Sequence, residues 1–125
     1  MTTHTRVLTI LLLVVMVSVV LVVRITKAES APPSLFYSLL SIDRSKDSCL
    51  KRAHTAVASE IAGHILKRED DVALVNRDYN LAVHCRKTGA NTTFVTIMVV
   101  HRSSFNEAKG LALNIRRGME TGLFE

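Results

Sequence analysis

Residues 79–101 read YNLAVHCRKTGANTTFVTIMVVH, and this stretch decides the fold. Its first half alternates apolar and polar side chains, which is the period-two pattern of a strand with one buried face. Residues 92–101 are rich in β-branched side chains, and residues 87–91 include several types that form turns. We therefore predict an antiparallel β-hairpin over residues 79–101.

The second strand of this hairpin is apolar on both faces. Successive side chains of a strand point to opposite faces of the sheet. The two sets here are Phe94, Met98 and Val100 on one face and Val95, Ile97 and Val99 on the other. A strand of this kind has to be covered twice. We expect the helices of the domain to cover one face, and a short helix at residues 35–42, a second copy of the chain or a partner protein to cover the other.

Two longer segments have the periodicity of amphipathic helices. Apolar residues recur every three or four positions over residues 48–68 and again over residues 105–118. Ser104 and Glu107 form a capping box at the start of the second of these helices. With the shorter helix at residues 35–42, we expect three helices to pack against the hairpin.

A short strand at residues 72–76 joins the hairpin in an antiparallel meander, so the predicted order of elements is α-α-β-β-β-α. Such an order gives a small α+β domain of two layers, with the meander packed against amphipathic helices. We assign this single domain to residues 35–125. Residues 29–34, which contain both prolines, form a linker to a hydrophobic segment at residues 1–28.

Residues 7–23 form an apolar run of 17 residues that two hydroxyl side chains interrupt. This length lies between the roughly 7 to 15 apolar residues of a secretory signal and the roughly 20 of a membrane-spanning helix. We therefore predict that residues 1–28 are a signal peptide or a membrane anchor, with residues 7–23 in the membrane if the segment is not cleaved. Arg24 and Lys27 follow the run directly, and the positive-inside rule then allows an anchored domain that stays in the cytoplasm.

The charge of the chain is concentrated around that run. The 125 residues include 16 Lys and Arg against 11 Asp and Glu, a net charge of +5. Residues 1–28 hold three of the basic residues and no acidic one, which leaves 13 against 11 for the rest of the chain. The sequence has no Trp, and Phe94 and Phe105 fall at core positions. We therefore do not expect nucleic acid as a partner.

Cys49 and Cys85 are the two cysteines of the chain. Cys49 lies on the apolar stripe of the first long helix and Cys85 on the inward side of the hairpin, so packing the helix on the sheet can bring them together. In an exported domain we predict a disulfide between them, and two buried thiols are the alternative. Asn91 opens the sequon Asn-Thr-Thr in the hairpin turn, which is a glycosylation site if the protein is eukaryotic.

Few residues are arranged for chemistry. The five histidines are dispersed, and the sequence has neither a metal-ligand motif nor a Gly-rich phosphate loop, so we expect no metal and no cofactor. A hairpin loop of residues 88–91 places Asp78 opposite His101, close to two serines, which makes Asp78 and His101 the weak candidates for catalysis. Because no nucleophile elbow or oxyanion loop accompanies them, we interpret them as a structural ion pair.

The sequence therefore predicts a small non-enzymatic interaction domain, exported (periplasmic, lumenal or secreted) or held by a single membrane anchor. It would act through contact with another protein or through self-association. One alternative is a small hydrolase-like enzyme that uses Asp78 and His101. Another is a membrane-anchored domain that faces the cytoplasm and binds lipid or nucleic acid.

Overall fold

The computed structural model of the chain describes residues 2–25 and 31–122, and the surroundings of the side chains for residues 4–18 and 31–122. The chain divides into two compact units, residues 1–30 and residues 31–125. The predicted end of the signal or anchor at residue 28, and the first part of the predicted linker, lie outside the described residues.

The first unit contains the helix α1, Thr2–Ile25. The large apolar side chains of residues 7–17 are each 55% to 66% exposed. The hydroxyls of Thr9 and Ser18 donate hydrogen bonds to carbonyl oxygens four residues earlier, at 2.7 and 2.8 Å. Among the described residues, no helix combines the length and the hydropathy that crossing a membrane requires.

The second unit is a five-stranded sheet with two helices on one face. Its elements in chain order are β1 (Ser34–Ile42), α2 (Lys46–Glu60), β2 (Ile65–Lys67), β3 (Asp71–Val75), β4 (Tyr79–Gly89), β5 (Thr92–His101) and α3 (Phe105–Thr121). The strands are ordered β1-β5-β4-β3-β2, and every neighbouring pair is antiparallel. The two-layer α+β architecture is confirmed. The predicted order α-α-β-β-β-α is wrong, because this unit runs β-α-β-β-β-β-α.

The helix predicted at residues 35–42 is a strand, β1. Its side chains alternate between the buried and the exposed face of the sheet, the period of two that a strand imposes. The apolar positions that suggested a helix also fit a strand over so short a segment: Leu35, Phe36, Leu39 and Leu40. Antiparallel pairing with β5 along all nine residues of β1 decides between the two. β1 therefore extends the sheet sideways and does not cover the second face of β5.

The helix predicted over residues 48–68 is also shorter than expected. α2 begins after Ser45, whose hydroxyl accepts a hydrogen bond from the backbone N–H three residues later at 3.3 Å. Residues 65–67 lie beyond its end and pair with β3 as the strand β2. Between them lies Gly63, where an added Cβ would come within 3.0 Å of the Leu74 side chain. A glycine is needed for the chain to pass this close to the core.

The other predicted elements are confirmed with small shifts of their ends. β3 corresponds to the strand predicted at 72–76, β4 and β5 to the hairpin, and α3 to the helix predicted over 105–118. α3 begins after Ser104, whose hydroxyl accepts a hydrogen bond from the Glu107 N–H at 3.2 Å. It ends at Gly122, whose φ of 59° is in the left-handed region that glycine adopts without strain.

The core lies between the helices and one face of the sheet, and a disulfide crosses it. Cys49 of α2 and Cys85 of β4 are both fully buried, and their sulfur atoms are 2.03 Å apart, which confirms the predicted bond. At the edge of the core the rings of Phe36 and Phe105 meet edge to face, with centroids 5.8 Å apart, and fasten β1 to α3. An intact disulfide is typical of proteins in oxidising, exported compartments.

Candidate interaction surface

The face of the sheet that points away from α2 and α3 is called the open face here. Six of the eight exposed large apolar side chains described in the second unit lie on it, each 42% to 62% exposed: Leu35, Tyr37, Leu39, Leu66, Val75 and Met98. None of the described elements of this unit packs on the open face. The sheet is therefore buried on one side and apolar but exposed on the other.

The apolar side chains of β1 and β5 join in one strip across the open face. Leu35 lies opposite Val100, and Tyr37 lies opposite Met98. Directly opposite side chains of antiparallel strands are about 5 Å apart at their Cβ atoms and contact each other. With Leu39, these five residues form the apolar strip, which is about 14 Å long at the rise of an antiparallel strand.

Polar side chains border the apolar strip on its inner side. Asn80, His84 and Arg86 of β4 point to the open face, and Asp71 of β3 lies opposite His84. The Asp71 carboxylate accepts a hydrogen bond from Nε of Arg68 at 2.7 Å, so its charge is paired. An apolar centre with a polar rim is the usual anatomy of a surface that binds protein.

β1 is also a free edge of the sheet, because β5 is its only neighbour among the described strands. It is nine residues long and contains neither a charged residue nor a proline. The opposite edge strand, β2, has three residues and ends at Lys67. Proteins protect exposed edges by keeping them short or by placing charges and prolines on them. The β2 edge has this protection and the β1 edge lacks it.

The structure does not pair Asp78 with His101, so the predicted register is wrong. The turn contains only residues 90–91, and a bulge lies between Lys87 and Gly89. Together they shift the hairpin by one residue from the predicted register and place Tyr79 opposite His101, with ring centroids 4.7 Å apart. The Asp78 carboxylate lies instead 3.6 Å from the guanidinium of Arg102. Both of these side chains are about half exposed, which makes the ion pair weak.

The residues around His101 hold the start of α3. Nδ1 of His101 accepts hydrogen bonds from the backbone N–H groups of Ser103 and Ser104, at 3.2 and 2.9 Å. Ser104 in turn caps the helix, as described above. The Tyr79 hydroxyl donates a hydrogen bond to Oε2 of Glu107 at 3.0 Å. The groups that the hydrolase alternative would use thus fix the turn between β5 and α3.

Two side-chain contacts shift the pKa values of the groups that they join. Burial, and then the hydrogen bond to Glu107, raise the pKa of Tyr79 above its usual value. An exposed ion pair joins Lys46 to Asp70, and its hydrogen bond raises the pKa of Lys46 and lowers the pKa of Asp70. The Lys46–Asp70 pair links the start of α2 to the turn before β3, and both shifts follow from contacts that hold the fold.

A cavity of about 290 Å³ lies between the start of α2 and the end of α3, with Asp47 and Lys51 in its lining. Arg52 also lines it, and its Nη1 donates to the Met119 carbonyl oxygen at 3.0 Å, which satisfies the end of α3. No group of three His, Cys, Asp or Glu side chains in the described part of the chain could hold a metal ion.

Asn91 is exposed in the turn between β4 and β5. Thr93, the third residue of its sequon, is buried, and its hydroxyl donates to the Arg44 carbonyl oxygen at 2.8 Å. The asparagine is thus accessible, and its glycosylation stays a prediction.

No protein family, curated protein or solved structure matches the chain. Its function therefore has to be inferred from its own surfaces.

Proposed function

We propose that the chain is an exported, non-enzymatic interaction domain that binds protein through its open face. The observation that carries this proposal is the apolar strip, exposed beside a polar border and a free strand edge. Soluble monomers expose apolar side chains mostly singly, and contiguous apolar patches are typical of contact sites. Covering one half-exposed leucine removes about 80 Å² from water and contributes about 2 kcal/mol. Several such side chains supply enough free energy for a stable contact.

Export is supported by the buried disulfide, because cytosolic thiols are kept reduced. Residues 1–28 would direct it as a signal peptide or as a retained anchor. Residues 7–17 of α1 are apolar except for Thr9, and the hydroxyls of Thr9 and Ser18 bond to the backbone of the helix, which suits apolar surroundings. The intact mass of the exported protein separates cleavage from retention. Two thiols that alkylate before reduction would contradict export to an oxidising compartment.

A non-enzymatic role is supported by the surroundings of Asp78 and His101. A hydrolytic triad needs a free serine hydroxyl, a histidine that can take its proton and an acid that orients the histidine. Here Asp78 lies beside Arg102, Nδ1 of His101 accepts two backbone N–H groups, and the Ser104 hydroxyl caps α3. Each of these groups has a role in the fold.

The test is site-specific photocrosslinking with the full chain in cells that export it. A photoreactive residue replaces Met98 on the open face or, as a matched control, Leu113 on α3. These two apolar side chains are similarly exposed, at 42% and 38%. We expect a discrete protein adduct from position 98 and none from position 113. Equal labelling from both positions, or no adduct from position 98, would contradict binding through the open face.

A further inference from the structure

Beyond the proposed function, we propose that the chain pairs with a second copy of itself through the free β1 edge, a contact that leaves the open face accessible. The two copies join by antiparallel pairing of their β1 strands, edge to edge, around a two-fold axis at Ser38. The product is one sheet of ten strands, in which the two apolar strips meet at the axis.

The free edge of β1 carries this proposal. β1 offers backbone N–H and C=O groups along nine residues and has none of the charges, prolines or bulges that keep an edge from pairing. It is held from the helix side at Phe36 by the contact with Phe105 and at its centre by Arg116, whose Nη1 donates to the Ser38 hydroxyl at 3.0 Å. The edge is therefore a formed strand that needs no rearrangement before it pairs.

The sequence of β1 is complementary to itself in this arrangement. If both open faces are to lie on the same side, residues of equal parity must face each other, so the axis passes through one residue. An axis at Ser38 pairs all nine residues of both strands. It places Tyr37 of each copy opposite Leu39 of the other, so this pair occurs twice on the open face. Aromatic and aliphatic side chains in opposite positions are among the favourable pairs of antiparallel sheets.

The charges near the axis also permit a second copy. Arg116 is the cation that contacts Ser38, and its Nε donates to Oε1 of Glu120 at 2.8 Å. Each copy therefore brings an arginine whose charge is already paired. β1 itself contains no charge. Two identical edges can approach without the repulsion between like charges that discourages self-association.

The area of the contact is sufficient for a reversible dimer. A strand of nine residues is about 30 Å long, and a layer of sheet plus a layer of helix is about 20 Å deep. Each copy then buries about 600 Å², or about 1,200 Å² for both, at the lower limit of stable protein interfaces. We expect a dissociation constant in the micromolar range.

Cysteine cross-linking of the full chain tests the pairing and its register. The variant Tyr37→Cys/Leu39→Cys places a cysteine of each copy opposite one of the other, within disulfide reach. Leu66→Cys/Val75→Cys is the matched control, because Leu66 and Val75 are 47% and 60% exposed and Leu39 and Tyr37 are 46% and 62% exposed. Under mild oxidation we expect a covalent dimer of the first variant and little of the second. Equal cross-linking of the two variants, or none, would overturn the proposal.

Charge substitution gives an independent test that leaves the core untouched. We expect Tyr37→Lys/Leu39→Lys to weaken self-association, measured by analytical ultracentrifugation, by at least about 30-fold, because four like charges then meet at the axis. Leu66→Lys/Val75→Lys should weaken it by less than about 3-fold. A wild type that stays monomeric at all concentrations would refute the pairing with a second copy. The proposed function is tested separately, because edge pairing leaves Met98 uncovered: it stands if position 98 captures another protein and fails if position 98 captures nothing, whether or not the dimer forms.

Discussion

Replacing both members of the disulfide, Cys49→Ala/Cys85→Ala, should cost this domain a large part of its stability. The bond joins residues 36 positions apart. The loop-closure model gives about 4 kcal/mol for a loop of this size, because the unfolded chain regains the entropy that the cross-link removed. A domain of this size has a free energy of unfolding of about 5 to 14 kcal/mol. The entropy of unfolding then converts the loss to a drop of about 20 °C in the melting temperature.

Urea and thermal unfolding of the oxidised wild type and the double variant measure this loss. Wild type unfolded in the presence of a reductant is the control, because it loses the bond without losing the buried sulfur atoms. It should match the variant to within about 1 kcal/mol, the scale expected for the small cavities left by alanine. The urea m-value should rise in the double variant and in the reduced wild type, since a chain without the cross-link exposes more surface on unfolding. A loss below about 1 kcal/mol would refute the assignment of the bond as a main source of stability.

Three further predictions concern the turn into α3. Ser104→Ala should lower the free energy of unfolding by about 1 kcal/mol through loss of the cap, with Ser103→Ala as a near-neutral control in thermal melts. His101→Ala should lower the free energy of unfolding by about 1 to 2 kcal/mol because two backbone N–H groups lose their acceptor. His101→Asn, which keeps an acceptor near Nδ1, should lower it by less. Equal losses for the two variants would contradict this role of His101. Because folding raises the pKa of Tyr79, its contribution to the free energy of unfolding is complete below the pKa of an unfolded tyrosine. The contribution is lost as the pH rises through the pKa of Tyr79 in the folded protein. Wild type should therefore lose stability above about pH 10 more steeply than Tyr79→Phe, and parallel profiles would contradict the contact with Glu107.

Sequence periodicity predicted the elements whose side chains face a single layer of neighbours. β4 and α3 have one buried face each, so their patterns are clear. The helix prediction for β1 is wrong because four of its apolar residues fit both periods and because nothing in the local sequence shows that the segment pairs with the distant strand β5. The alternation of buried and exposed side chains from Ser38 to Ile42 appears only in the folded structure, because the sequence of this segment does not alternate polar and apolar residues. Tertiary pairing overrides local propensity in such short segments.

The candidate site was predicted only in outline, and the reason is again non-local. The two apolar faces of β5 indicate that a second cover is needed, but which residues surround the open face depends on the order of the strands. The expected pairing of Asp78 with His101 failed because the turn contains two residues and not four, and the bulge near Lys87 restores only one of the two positions by which this shifts the register. The disulfide could be predicted because both cysteines lie on the inward faces of their elements, and inward faces must meet.

The two edges of the sheet together determine how far self-association can go. If the β1 edge of one copy paired with a different surface of the next, each added copy would still present a free β1 edge, and the assembly would grow into open fibres. Pairing β1 with β1 uses both unprotected edges at once. The ten-stranded sheet then ends on both sides in β2, a strand of three residues that closes with Lys67. Because neither outer edge can readily accept a further strand, assembly stops at two copies, and the sedimentation profile should show monomer and dimer without larger species.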